Sequence, residues 1–252
     1  PANVRSRYLL AQELERQDCD VSFGEQKMWG CNVLRPGGGA QRALERQYID
    51  SHQSGRLLLR LLRLFSLKRI SRLWAEGNAY RDPALRCVIA NSHIAREWLL
   101  RDYPHIGDRI SVVYNGADAE RFSGDQDGRR RVEVHRELGL DPEAVTALFV
   151  ANDFRLKGLR EALHGLKLTR RYDPDFKLQL IVVGKGRIRR YRRIARRLGL
   201  KEVVRFAGGT REPERFYASA DALLFPSFYD PCANVTLEAL AAGLPVVTTV
   251  HN

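Results

Sequence analysis

Two carboxylates, Asp230 and Glu238, lie eight positions apart in the stretch Phe225-Pro-Ser-Phe-Tyr-Asp-Pro-Cys-Ala-Asn-Val-Thr-Leu-Glu-Ala-Leu-Ala-Ala-Gly-Leu-Pro-Val-Val247. The apolar run Ala222 to Phe225 reads as the end of a strand, the segment with Asp230 as a loop, and the segment with Glu238 as a helix. The start of such a helix presents unpaired backbone N–H groups and a partial positive charge, which suits the phosphates of a nucleotide. A carboxylate one turn further in can accept hydrogen bonds from two neighbouring hydroxyls, as on a ribose. Lys157, in Ala151-Asn-Asp-Phe-Arg-Leu-Lys-Gly158, stands where another strand gives way to a helix. A cation there can neutralise a diphosphate without a metal, and Arg155 adds a second charge. Both stretches also have a bland reading, as ordinary strand-loop-helix connections of a parallel sheet with a solvated lysine.

For these groups to meet, their strands must belong to one sheet. Strand patterns near Thr146 to Val150, Leu178 to Val183, Val203 to Phe206, Ala222 to Phe225 and Pro245 to Thr248 alternate with helices. That alternation argues for a doubly wound α/β domain with a parallel sheet, whose ligands belong at the carboxyl ends of the strands. Val183-Gly-Lys-Gly186 and Phe206-Ala-Gly-Gly-Thr210 mark two further strand ends, where glycine permits close backbone approach. After Gly186, Ile188, Tyr191, Ile194, Ala195 and Leu198 fall at core spacing, so the arginines between them project outward. Anionic lipid, phosphorylated glycan, nucleic acid or plain water all suit such a face, but no aromatic platform accompanies it for nucleic acid.

Residues 1–124 read as a second, partial α/β unit. A helix is expected over Val4 to Glu15, short strands at Asp20 to Gly24 and Asn32 to Arg35, and a helix at about Ala40 to Ile49. Gly37, Gly38 and Gly39 precede that helix, beside Arg35 and Arg42. They form an anion cradle or simply a flexible turn, having neither the ending of a P-loop nor the spacing of a dinucleotide loop. In the segment Arg56 to Trp74, Arg56, Arg60 and Arg63 gather opposite a Leu/Phe arc, while Lys68, Arg69 and Arg72 fall on the other side. The polar face therefore flips near Ser66, and core packing or docking on an anionic membrane both account for the pattern. Cys87 to Ser92 and Arg109 to Tyr114 contain short buried strands, and the polar run Ser123 to Arg130 reads as a linker. The domains expected are thus 1–124 and 125–252.

Lys and Arg number 42 against 30 Asp and Glu, a net charge of +12, and 44% of residues are hydrophobic. Such a chain can bury a real core and favours anionic partners. Cys19, Cys31, Cys87 and Cys232 form no Cys-x-x-Cys pair, and the histidines show no metal-ligand spacing. No metal is assigned, and a reduced, cytoplasmic setting is expected. No apolar run is long enough to cross a bilayer and no signal peptide is visible. The chain opens within a helix pattern and stops just after a strand pattern, as a fragment cut at both ends would.

Pro226, Ser227, Leu237, Glu238, Ala239, Gly243, Pro245 and Val246 resemble the acidic motif of the family 4 retaining glycosyltransferases with the GT-B fold, in which two glutamates are spaced as Asp230 and Glu238 are. Asp230 replaces the first of them, and Pro231, Cys232 and Ala233 replace Gly-Phe-Gly. Val183-Gly-Lys-Gly186 is similar to the family's Val-Gly-x-Gly turn, and the run ending in Tyr114-Asn-Gly-Ala-Asp118 to the close of its N-terminal domain. Asp153-Phe154 with Lys157-Gly158 looks like the lipopolysaccharide-core glucosyltransferases in particular. The resemblance implies an α/β protein of two Rossmann-like domains with parallel sheets, the N-terminal one incomplete. It implies a retaining, metal-independent transfer of a hexose-like sugar, without cofactor, from a UDP- or ADP-sugar to a glycan or glycolipid such as lipopolysaccharide core, at the inner face of the cytoplasmic membrane.

By the same resemblance Glu238 binds the ribose, Lys157 with Arg155 holds the diphosphate, and Asp230 touches the donor sugar. Asn152 stands where many members carry an arginine. Backbone amides of Cys232, Ala233, Asn234 and Val235 cap the phosphates and sugar, Gly184, Gly186 and Gly208 line the donor side, and Lys27 with Gly37, Gly38 and Gly39 face the acceptor. Asn115 and Asp118 belong to a turn and are not assigned to catalysis. Three other readings stand beside this one: a sugar-nucleotide or phosphate-binding module without catalysis, a sugar-nucleotide epimerase on the same fold, and an RNA-binding protein that rests on the arginine helix alone.

Overall fold

A computed structural model of the chain describes residues 13, 19–25, 29–52, 57, 61, 66–123 and 128–251. The chain divides into two units, Pro1–Tyr114 and Asn115–Asn252. In the first, β1 (Phe23–Gly24), β2 (Val33–Leu34), β3 (Cys87–Ala90) and β4 (Ile110–Val112) form a parallel sheet in that order. Helices α1 (Gln41–Asp50), α2 (Leu67–Arg81) and α3 (His93–Asp102) accompany it. Ser66 caps α2, its side chain accepting from the Arg69 N–H, and Ser92 caps α3 by accepting from the Ala95 N–H at 3.0 Å. The change of polar face near Ser66 coincides with the capped start of α2. All of the helix expected over Val4 to Glu15 except Glu13, together with Lys27 and most of Arg56 to Phe65, lies outside the described residues.

The second unit contains α4 (Ala119–Phe122), α5 (Arg129–Leu138), β5 (Val145–Val150), α6 (Leu159–Tyr172), β6 (Leu178–Val183), α7 (Ile188–Arg197), β7 (Val204–Gly208), α8 (Glu214–Tyr217), β8 (Ala222–Phe225), α9 (Asn234–Ala241) and β9 (Val246–Thr248). Its strands are parallel, in the order β7-β6-β5-β8-β9. Side chains alternate between the two faces as the pleat requires. Leu148, Ile181, Val183 and Leu223 join Val134, Phe216 and Tyr217 on one face, while Ala147, Phe149, Leu180 and Val182 join Leu163, Tyr191 and Ala195 on the other. Both faces are thus covered, α5 and α8 on one and α6 and α7 on the opposite one. Gly139, left-handed at φ +60°, stops α5.

The division falls after Tyr114, before the polar run rather than within it. The reason lies in α4. Phe122 is buried in the second unit's core, its ring 5.3 Å from that of Tyr217. Arg121 donates to Glu214 Oε2 at 2.8 Å and to the Arg211 carbonyl at 2.9 Å. The run Ser123 to Arg130 consequently joins two helices of one unit. Among the described residues no helix is long and apolar enough to cross a membrane.

Candidate functional site

The chain leaves β5 toward one side of the sheet and later returns to add β8 on the other side of β5, so the loops after β5 and β8 emerge next to each other. A crevice at such a reversal of strand order is where open α/β sheets bind ligands. Lys157 comes from the first loop and Asp230 from the second. The lysine Nζ donates to Asp230 Oδ2 at 2.7 Å and to the Tyr229 carbonyl at 2.6 Å, and lies 5.7 Å from the centre of the Phe225 ring. Both side chains are largely shielded, 18% and 22% exposed, so the pair is less screened than a surface ion pair. The Phe228 N–H donates to the Leu156 carbonyl at 2.9 Å and fastens the loops together. Gly158 makes this possible: at φ +77° any Cβ would run into the Pro226 carbonyl oxygen.

Beyond Asp230 the chain enters α9. Ala233 precedes the helix and no side chain caps it; Thr236 and Leu237 donate back to the Ala233 carbonyl at 3.1 and 3.5 Å. The amides of Asn234 and Val235 therefore precede the helical ladder, in the position of anion-binding donors. Asn115 steadies this corner, its Nδ2 donating to Asn234 Oδ1 at 2.7 Å and to the Cys232 carbonyl at 3.4 Å. One turn on, Glu238 accepts at Oε2 from the Tyr217 hydroxyl at 2.6 Å. Tyr217 is fully buried, and burial followed by the bond to Glu238 pushes its pKa far up, so the phenol remains a donor. Oε2 is thus oriented by the core, and Oε1 is the oxygen left to accept from a ligand.

The other strand ends assemble through their glycines. Asn152 Oδ1 accepts from the Lys185 N–H at 3.4 Å, and the Gly184 N–H donates to the Gly208 carbonyl at 2.7 Å. A Cβ on Gly184 would strike the Ala151 carbonyl, and one on Gly186 the Phe154 ring. These two glycines are thus explained by the packing of strand ends. Arg155 shares the Lys157 loop. Burial first raises the Tyr191 pKa, and the charges of Arg190 and Arg155 oppose the rise.

Gly37, Gly38 and Gly39 belong to the first unit, where the helix they precede already has an anion. Both carboxylate oxygens of Glu76, which is fully buried, accept from the Gln41 N–H at 3.1 and 3.0 Å. Burial first, and then the charge of the same carboxylate, raises the Tyr103 pKa. Of the two readings of this stretch, the cradle at the start of α1 is filled by the protein's own carboxylate. Asn91 Nδ2 holds the turn through the Gly37 carbonyl at 2.9 Å.

Residues 144–252 match the family described as glycosyl transferases group 1. The chain is 33% identical over 175 residues to the D-inositol 3-phosphate glycosyltransferase of Corynebacterium kroppenstedtii, which covers 66% of this chain and 38% of that relative. It is 31% identical over 145 residues to the lipopolysaccharide glucosyltransferase WaaG of Escherichia coli, which covers 56% and 38%. The chain therefore spans less than half the length of these two relatives. Among solved structures, that of WaaG, a glycosyltransferase involved in lipopolysaccharide biosynthesis, matches with a TM-score of 0.75 at 23% identity over 96% of this chain and 62% of that one. Anabaena Alr3699/HepE in complex with UDP-glucose matches with a TM-score of 0.63 at 18% identity over 87% and 60%. The fold is of the GT-B type. The group 1 segment holds Asn152, Lys157, Asp230 and Glu238, whereas Asn115 and Gly37 to Gly39 lie outside it.

Proposed function

We propose that this chain belongs to a retaining glycosyltransferase that takes a hexose-like sugar from a UDP- or ADP-sugar and passes it to a glycan or glycolipid, lipopolysaccharide core being the acceptor class that the WaaG likeness favours. The observation that carries the reading is the meeting of Lys157, Asp230 and the start of α9 at the reversal of strand order, with Glu238 held by Tyr217 one turn away. When the bond from sugar to phosphate breaks, its electron pair goes to the diphosphate. Lys157 and the Asn234 and Val235 amides take up that charge, which can lower the barrier by several kcal/mol. These groups supply positive charge themselves, so no metal is invoked. Glu238 fixes the ribose and Asp230 the sugar, Pro1–Tyr114 being the acceptor side.

Isothermal titration with UDP-glucose and ADP-glucose tests this. Glu238→Ala is expected to weaken donor binding about 10- to 100-fold, the loss of one or two charge-assisted hydrogen bonds. Equal affinity of the variant, or no affinity of the wild type for any nucleotide sugar, would remove the transferase reading.

A further inference from the structure

Helices α6 and α7 lie on the same face of the second sheet, anchored by Leu163, Tyr191 and Ala195. Between them runs a groove of about 400 Å³, lined by Arg160 and His164 from α6 and by Arg190, Arg193, Arg197 and Leu198. The spacing of Arg190, Arg193 and Arg197 places them on one side of α7. Among the described residues none of the four arginines is paired with a carboxylate. Four guanidinium groups held in one groove repel one another, and bound anionic groups relieve that repulsion.

A solvated basic helix would account for the groove alone, but the surface does not stop there. One and two turns beyond His164 on the same helix, Leu168 is 63% and Tyr172 95% exposed, and Phe176 in the following loop is 41% exposed. With Arg171 they border a second depression, where Asp173 is occupied in accepting from the Phe176 N–H at 3.2 Å. Nucleic acid would use the arginines but has no use for an exposed leucine, and an apolar protein partner would not need the arginine groove. An anionic bilayer uses both, because its phosphates lie at the level of the arginines while aliphatic and aromatic side chains enter the interface beside them.

We propose that the α6–α7 face docks on an anionic phospholipid bilayer, the arginine groove receiving lipid phosphates and Leu168, Tyr172 and Phe176 entering the interface. This is independent of the donor site, since binding is measured without nucleotide sugar. The test is co-sedimentation of the chain with vesicles of phosphatidylglycerol and phosphatidylcholine, against vesicles of phosphatidylcholine alone. Arg193→Glu with Arg197→Glu is compared with Arg130→Glu plus Arg136→Glu. The control pair makes the same charge change on α5, which covers the opposite face of the sheet, and Arg136 and Arg197 both sit in the last turn of their helices. All these side chains are exposed, and thermal unfolding checks that each variant folds.

The wild type is expected on the anionic vesicles only. Arg193→Glu with Arg197→Glu should weaken partition about tenfold or more, and the α5 pair by no more than about twofold. Leu168→Ser with Tyr172→Ser should weaken it about threefold or more, because the apolar contribution is lost while the charge is kept. The proposal fails if the wild type stays in solution at low salt or binds both vesicles equally. It fails if the two charge-reversal pairs behave alike, or if the serine variant partitions as the wild type does. Retention of an oligonucleotide without retention of vesicles would assign the groove to nucleic acid instead.

Discussion

Lys157 faces a competition that its position in a loop does not reveal. Its ammonium group has three donors, of which Asp230 and the Tyr229 carbonyl take two. A diphosphate must be met by the third, or must displace the carboxylate. Asp230→Asn keeps an acceptor near Lys157 but removes the negative charge. We therefore expect UDP to bind this variant about 3- to 10-fold more tightly, while sugar transfer by the enzyme falls at least about tenfold because the donor sugar loses its carboxylate contact. Lys157→Ala should weaken UDP binding about 10- to 100-fold. Titration calorimetry separates the two; if Asp230→Asn weakens UDP as much as Lys157→Ala does, Asp230 does not oppose the diphosphate. The residue types of this site were legible in the chain, because turn residues bracket each strand end. Their partnerships were not. Nothing local in Tyr217 shows that its hydroxyl reaches a carboxylate 21 positions on, since a tyrosine at core spacing looks like any other packed ring. Likewise Glu76 reads as an ordinary helical glutamate until folding brings it to the Gln41 amide, 35 positions away.

Elements were legible where burial is two-sided. β5, β6 and β8 are near-continuous apolar runs, as strands covered on both faces must be. Boundaries were less so, since polar sequence marks exposure and not domain limits; the run after Phe122 is polar although both helices beside it serve one core. One side chain ties α5 to the sheet through polar bonds. Asp221, just before β8, accepts from the Thr146 N–H at 2.7 Å and from Arg131 at 3.0 and 3.2 Å, while its own N–H donates to the Thr146 carbonyl at 2.8 Å. Burial pushes its pKa up, but the bonds from Arg131 and Thr146 and the charges of Arg131 and His135 outweigh this and hold it below the ordinary 3.8. A carboxylate so depressed contributes stability that is present above the unfolded-state value and is lost as pH falls through the lower folded-state value. Asp221→Asn should therefore cost about 1 kcal/mol in urea unfolding at neutral pH, a modest figure because the carboxylate is partly exposed. The gap between wild type and variant should shrink below pH 3.8, where the wild-type carboxylate takes up its proton. A gap of constant size across that range would show that Asp221 acts through shape alone.

At the scale of the whole molecule the two proposals give the +12 charge separate outlets. The proposed donor crevice lies at the carboxyl ends of β5 and β8, whereas the arginine groove runs down the outer side of α6 and α7, with Arg193 and Arg197 in the later turns of α7. Charges exposed to water and farther apart than the screening length of about 8 Å at physiological ionic strength act on each other weakly. Arg193→Glu with Arg197→Glu should thus leave the affinity for UDP within about twofold of wild type at that ionic strength, and should reduce it more visibly as salt is lowered and the range of the field grows. Lys157→Ala and Glu238→Ala should do the reverse, losing the nucleotide while partitioning onto anionic vesicles as the wild type does, because neither residue lies on the α6–α7 face. Titration and sedimentation on the same four proteins decide the matter. If the arginine variant loses UDP at physiological salt as Glu238→Ala does, groove and crevice are parts of one anion site and the membrane face has no separate existence. If the losses cross over, each measured by its own ligand, one parallel sheet carries two anion-binding surfaces that can be occupied at once. The sugar-nucleotide crevice would then be held at the bilayer surface, where a glycolipid acceptor is found.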